Sequence, residues 1–295
     1  MEFTKYYSCI EFKKISDICI IDYPIQSNNI DYDSFKNKSK IIILTIQHNK
    51  YFEFILHTIL PKLSVPFIII SSFDDYTFPD EFDTNIINSI TNNQYFKHWF
   101  PINKSIPDDS KFTSIFYGMD YVKLQADHSI DFRLLTSYQQ DSIFQNIINK
   151  SKQFIHRIPK IHCSFHLNCT DGRHGNWRSR LHYIIPNDIT FFEQGNLERP
   201  KMWENTSQYA FCLSPHGNGL DCIRTIEALC LGCIVIIKTS PLDKLYEDLP
   251  VLIVNEYTDI NEKLLNDTII VFSQKSFNYK KLTMQYWIDL VNNKF

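Results

Sequence analysis

Apolar residues along this chain fall into short blocks separated by polar turns, and their spacing alternates between continuous runs and a helical period. The run Lys40–Ile46 reads as a buried strand, Tyr51–Leu63 has helical spacing, and Pro66–Ser71 reads as a second strand. Strand, helix, strand predicts a parallel sheet, because parallel neighbours need a crossover of about helix length. Ile86, Ile87 and Ile90 predict a further helix, Phe112–Tyr117 a strand, and Ser142–Ile155 a helix that crosses between two halves.

The alternation then restarts. Strands are predicted at Ile161–Phe165, Thr190–Phe192, Tyr209–Leu213, Cys233–Ile237 and Val251–Val254. Helices are predicted at Met202–Ser207, Asp221–Leu231, in a short piece ending at Tyr246, and at the C-terminal end. Such βα repetition predicts an α/β protein of two Rossmann-like domains, residues 1–145 and 146–295, with ligands beyond the carboxyl ends of the strands.

A length of 295 residues suits two cores, and 44% apolar composition fills them. The net charge of -3 and the lack of any Lys/Arg block argue against nucleic acid or anionic membranes as partners. No apolar run approaches the roughly 18 residues that span a bilayer, and Met1–Cys9 lacks a signal-peptide core. These features predict a cytoplasmic chain whose eight cysteines stay reduced.

Glycine narrows the search for a site. Of seven glycines, six lie between Gly172 and Gly232, and a chain this poor in glycine keeps it where the backbone needs positive φ or close approach. Within that window, Phe211–Gly232 runs from a strand through the loop Ser214, His216, Gly217, Asn218, Gly219 into a helix. This order can turn loop amides and the helix N-terminus toward a diphosphate, with Asp221 as the N-cap. Arg224 adds a bidentate phosphate contact, and Glu227, three residues on, is placed to accept from ribose hydroxyls. Lys238 and Ser240 follow the next strand, and Arg173 and Arg178 lie on the polar loop after Ile161–Phe165, where a planar guanidinium suits phosphate.

The same string, Leu213-Ser-Pro-His-Gly-Asn-Gly-Leu-Asp, with Arg224-Thr-Ile-Glu-Ala-Leu and Thr239-Ser-Pro-Leu-Asp-Lys-Leu-Tyr, resembles the exostosin-like glycosyltransferases. Asp74-Asp-Tyr-Thr-Phe-Pro, Trp99-Phe-Pro-Ile-Asn and Tyr117-Gly-Met-Asp-Tyr extend the likeness into the first half. The resemblance spans about residues 40–258 and departs at Ile223, Ile226 and Val235, where a polar residue, an aromatic and a proline are expected. It implies a GT-B architecture, two Rossmann-like domains facing across a cleft. The donor nucleotide-sugar then lies in the second domain, a glycan or other hydroxyl acceptor lies in the cleft, and neither cofactor nor metal is obligatory. The general base then comes from the first domain, with Asp75 as first choice and His48 as second. The alternative is a non-catalytic relative that binds a nucleotide-sugar or glycan.

Other motifs carry less. Asp31-Tyr-Asp33 fits an Asp-x-Asp metal signature but lies in a polar stretch ahead of the first clear strand. Cys230-Leu-Gly-Cys233 has no second pair at zinc spacing, and strand alternation would split His162, Cys163, His166 and Cys169 between two faces. No Gly-x-Gly-x-x-Gly follows the first strand of either half, which disfavours a nicotinamide enzyme.

Overall fold

The structure, a computed structural model, describes residues 3–21, 30, 32, 35, 37–121, 135–167, 173–174, 178–195 and 197–295. The described residues form two all-parallel sheets. The first holds β1 (Ile18–Ile20), β2 (Ile41–Ile46), β3 (Phe67–Ser72) and β4 (Phe96–Pro101), in the order β1-β2-β3-β4. The second holds β5 (Ile158–Cys163), β6 (Thr190–Phe192), β7 (Tyr209–Leu213), β8 (Ile234–Lys238) and β9 (Val251–Val254), in the order β6-β5-β7-β8-β9. The α/β class and the Rossmann-like character of each sheet therefore hold.

Alternation along the strands explains the layering. Ile41, Ile43, Phe67 and Ile69 face an outer core of the first half, while Phe211, Leu213, Ile234 and Ile236 face an outer core of the second. The residues between them in sequence, Ile42, Leu44, Ile68 and Ile70 on one sheet and Cys212, Val235 and Ile237 on the other, belong to one shared central cluster. Both faces of the central strands β2, β3, β7 and β8 are buried, as the inner strands of all-parallel sheets require.

The termini close that central cluster. Tyr7 N donates to Leu282 O, and the C-terminal helix Met284–Asn292 sets Trp287 against Tyr7 (5.4 Å) and Phe116 (5.5 Å). The linking helix Ser137–Lys150 starts from a Thr136 capping box with Gln139 and seats Phe144 on Trp203 at 4.6 Å.

The boundaries differ from expectation in several places, the linking helix among them, at Ser137–Lys150 rather than Ser142–Ile155. β4 occupies Phe96–Pro101, a stretch whose Lys97, His98 and Pro101 mask the apolar pattern. The predicted strand Phe112–Tyr117 instead runs irregularly beside β4, with Thr113 N donating to Trp99 O and Ile115 N to Pro101 O, and only one isolated bridge, Trp99 with Phe112. β1 was not foreseen at all, being only three residues long. The helix expected over Tyr51–Leu63 is present as an α-helical turn pair, Asn49–Phe54, that widens to a π segment, Ile55–Ile59. No helix among the described residues is long and apolar enough to cross a membrane.

Candidate functional site

All the predicted site residues follow carboxyl ends of strands, but they are held by one another in ways sequence did not show. On the first sheet, the buried Gln47 just past β2 ties three strand ends together. Its Nε2 donates to Tyr76 O (2.8 Å) and Ile102 O (2.9 Å), while Oε1 accepts from Ser71 Oγ (2.9 Å) and Ile102 N (3.0 Å). Four hydrogen bonds to a fully buried amide satisfy it completely and fix the loops that follow β3 and β4.

His48, next in sequence, caps the helix that starts at Asn49: its Nδ1 accepts from Lys50 N (3.2 Å), and its ring lies edge-on to Tyr76 at 5.4 Å. After β3, Phe73 takes a left-handed φ of 67°, uncommon for an aromatic residue, and so turns the chain into Asp74 and Asp75. Asp74 Oδ1 accepts from Asp75 N (2.7 Å). Burial pushes the Asp74 carboxyl above its ordinary range, with the Asp75 amide, His48 and Arg173 pulling the other way.

On the second sheet, Ser214 continues β7, donating its N–H to Ile236 O, and its hydroxyl meets Thr225 Oγ1 at 2.9 Å, tying strand to helix. The loop beyond is shaped by Arg178, whose Nε donates to His216 O (3.1 Å) and Nη2 to Pro215 O (3.1 Å). The two glycines serve these approaches. A Cβ on Gly217 would lie 2.7 Å from Arg178 Nη2, and one on Gly219 would lie 2.6 Å from Asn103 Nδ2 and 3.2 Å from Asp75 O. Gly219 thus presses the second half's loop onto the first half. Asn218, between them, is half-buried.

Asp221 is not an N-cap. The helix Ile223–Cys230 is capped from Cys222, and the buried Asp221 carboxylate instead accepts from Tyr117 N (2.7 Å), Tyr246 OH (2.8 Å) and Cys222 N (2.8 Å). Its own N–H donates to Asn103 Oδ1 (2.8 Å), while Asn103 Nδ2 has no partner among the described residues. Burial raises the Asp221 carboxyl, and those donors offset part of the rise.

Arg224 Nε donates to Ser164 O (3.2 Å), and its guanidinium lies 5.4 Å from the Phe165 ring, with Arg178 5.9 Å from the same ring. The two guanidiniums flank one aromatic face at the end of β5. Glu227 does not stand free beside the turn. It is buried, and Arg199 grips its Oε1 through Nε (2.7 Å) and Nη2 while donating Nη1 to Asp120 O (2.8 Å). Among the described residues no donor reaches Glu227 Oε2, so only that oxygen is open to another partner.

The remaining predictions separate further. Arg173 leaves the second sheet for the first half, 4.3 Å over the Tyr76 ring and 3.4 Å from Glu81 Oε1, beside a contact of His174 Nε2 with Thr77 Oγ1 (3.3 Å). Lys238 pairs with Glu256, and Ser240 Oγ accepts from Leu242 N in a local turn. Asp31, Asp33 and Cys169 lie outside the described residues, as do 171–172 and 175–177 of the arginine loop. No group of three or more His, Cys, Asp or Glu able to hold a metal occurs among the described residues. Cys230 and Cys233 are buried with thiols held above their ordinary range, Cys233 at about 11. His162 is occupied by Glu193 and Thr206.

No protein-family model matches this chain, and no curated protein matches it.

Two predictions follow from the Asp221 and His216 environments. Asp221→Ala strands Tyr117 N and the Tyr246 hydroxyl and unlinks the two halves; it should cost about 3 kcal/mol, read as a lower denaturation midpoint at unchanged slope. The His216 imidazole is held down to about 4 by burial, then by His174 and Lys238. Since an unfolded histidine titrates near 6.5, this depressed value contributes stability above pH 6.5 that is lost as pH falls toward 4, by up to about 3 kcal/mol. His216→Gln should therefore flatten the wild-type loss of stability between pH 6.5 and 4 in matched denaturation curves. An unchanged pH slope counts against the assignment.

Proposed function

We propose that this chain is a glycosyltransferase of GT-B type that takes its sugar from a nucleotide-sugar, binding the donor diphosphate at Arg178 and Arg224 and the acceptor hydroxyl beside Asp74. The observation that carries this reading is the state of those two arginines. Both direct their described hydrogen bonds to backbone carbonyls or a thiol and pair with no carboxylate among the described residues, so their positive charges remain available to an anion. The Phe165 ring, 5.9 and 5.4 Å from the two guanidiniums, would supply an aromatic wall for a base or sugar. The first half contributes a carboxyl, Asp74, whose raised pKa suits a general base working near neutrality better than an ordinary aspartate does. Sequence pointed to Asp75, and its neighbour is the better candidate.

The non-catalytic alternative has one observation in its favour. Glu227 Oε1 is committed to Arg199, so a ribose would have to be held through Oε2 alone.

A thermal-shift and titration panel of UDP-, GDP- and CMP-sugars tests the proposal. One donor should raise the melting temperature, with about 2.7 kcal/mol of stabilisation at a hundredfold excess over Kd. Arg224→Ala should weaken that donor about tenfold or more. A panel in which no donor shifts the melt sinks the reading. With the donor identified, Asp74→Asn should lower turnover about a hundredfold at unchanged donor affinity; donor binding with no transfer or hydrolysis by wild type decides for the non-catalytic relative.

A further inference from the structure

A cavity that the sequence did not anticipate lies at the opposite edge of the second sheet. It encloses about 930 Å³ where the chain enters β5 and β8, between the end of the helix Ile223–Cys230 and the C-terminal segment 272–283. Its volume is in the range of small-molecule sites.

Its lining is chemically one-sided. Five cations, Lys5, Lys152, Arg157, Lys275 and Lys280, line it with no Asp or Glu, and none of the five pairs with a carboxylate among the described residues. Arg157 is built in: Nε donates to Lys152 O (2.7 Å) and Nη2 to Leu231 O (2.7 Å), against the glycine turn at Gly232, where a Cβ would lie 3.0 Å from Nη2. Part of its charge answers the negative end of the helix, and the lysines have no such partner.

The rest of the wall is aromatic. Phe272 meets Phe277 at 5.2 Å between ring centroids, and Phe277 meets Tyr279 at 6.1 Å; Phe154 lines the same space. These rings are only partly covered, and Tyr279 is 46% exposed. Cations without carboxylate partners, Lys5 and Lys275 lying over the Tyr6 and Phe272 rings, beside partly covered aromatic rings suit a ligand with an anionic head and a flat apolar body.

The neighbouring surface limits its size. Past Phe272 and Phe277 a second cavity of about 650 Å³ is lined by three carboxylates, Asp243, Glu247 and Asp248, and two lysines, Lys244 and Lys275. An extended polyanion would meet those carboxylates, so the all-cationic cavity favours a compact anion over an extended one.

We propose that this cavity is a binding site for a small aromatic anion, separate from the carboxyl-end site. The test titrates the protein by fluorescence with 8-anilinonaphthalene-1-sulfonate and with uncharged N-phenyl-1-naphthylamine, which has a similar aromatic body without the sulfonate. The sulfonate should bind at least about tenfold tighter, and its affinity should fall as salt is raised. Lys152→Glu with Lys280→Glu, both at exposed positions, should remove most sulfonate binding and spare the neutral dye, at an unchanged melting temperature. Equal affinity for the two dyes, or sulfonate binding untouched by the double reversal, overturns the proposal. A shared loss of both dyes overturns it as well, since charge would then not be what selects the ligand.

Discussion

The relation between the two sheets turns on one buried carboxylate. Asp221 receives a backbone N–H from Tyr117 of the first half and a hydroxyl from Tyr246 of the second, while its own amide is taken by Asn103 beyond β4. A charge in that position is costly to desolvate unless hydrogen bonds replace its water, and here donors from both halves replace it. Separating the sheets would leave the Tyr117 amide unpaired and strip the buried carboxylate of the donor on its Oδ2. Gly219 belongs to the same device, because only a residue without Cβ lets the loop before Asp221 approach Asn103 and Asp75 this closely.

The apolar pattern makes that polar lock effective. Alternate residues of β2, β3, β7 and β8 feed a central cluster common to both halves, and Tyr7 and Trp287 from the two chain ends complete it. Burial on this scale supplies the stabilisation, being non-directional and proportional to area, but it does not choose a register. Directional bonds from Asp221, Gln47 and Arg178 do that, each fixing a loop at a carboxyl end. Scaffold and site are thereby built from different forces: packing holds the sheets, and satisfied buried polar groups aim the loops.

This division explains what could be read in advance. Thr190–Phe192, Tyr209–Leu213 and Val251–Val254 were placed to the residue, because each is a short apolar run bounded by polar turn signals. β4 was not, since Lys97 and His98 interrupt its run, and His98 is nonetheless buried by bonds to Ser110 O and Thr113 Oγ1 from a segment that sequence alone could not place there. Local signals likewise found the glycine loop without showing which protein groups approach it. Gly217 and Gly219 are where close approach was expected, yet what approaches is Arg178 and Asn103. Asp221 had every local mark of a cap and Glu227 of an open acceptor; their partners, Tyr117 and Arg199, stand 104 and 28 residues away. Gln47 carried no signal, because nothing in a lone polar residue after a strand announces four buried bonds.

The arginines show how charge can be reserved or spent within one fold. Arg199 gives two donors to Glu227 and Arg173 approaches Glu81, so much of each charge is cancelled where it stands. Arg178, Arg224 and Arg157 are held just as firmly, but by carbonyl oxygens of Pro215, His216, Ser164, Lys152 and Leu231. A carbonyl fixes the guanidinium plane with its dipole and leaves the unit charge in place, whereas a carboxylate fixes it and neutralises it. An anion arriving at Arg178 and Arg224 therefore displaces no internal counter-ion, and the ordering cost of the side chains has already been met during folding. Of the four arginines proposed or found near the carboxyl ends, this separates the pair suited to an anionic ligand from the pair whose work is structural.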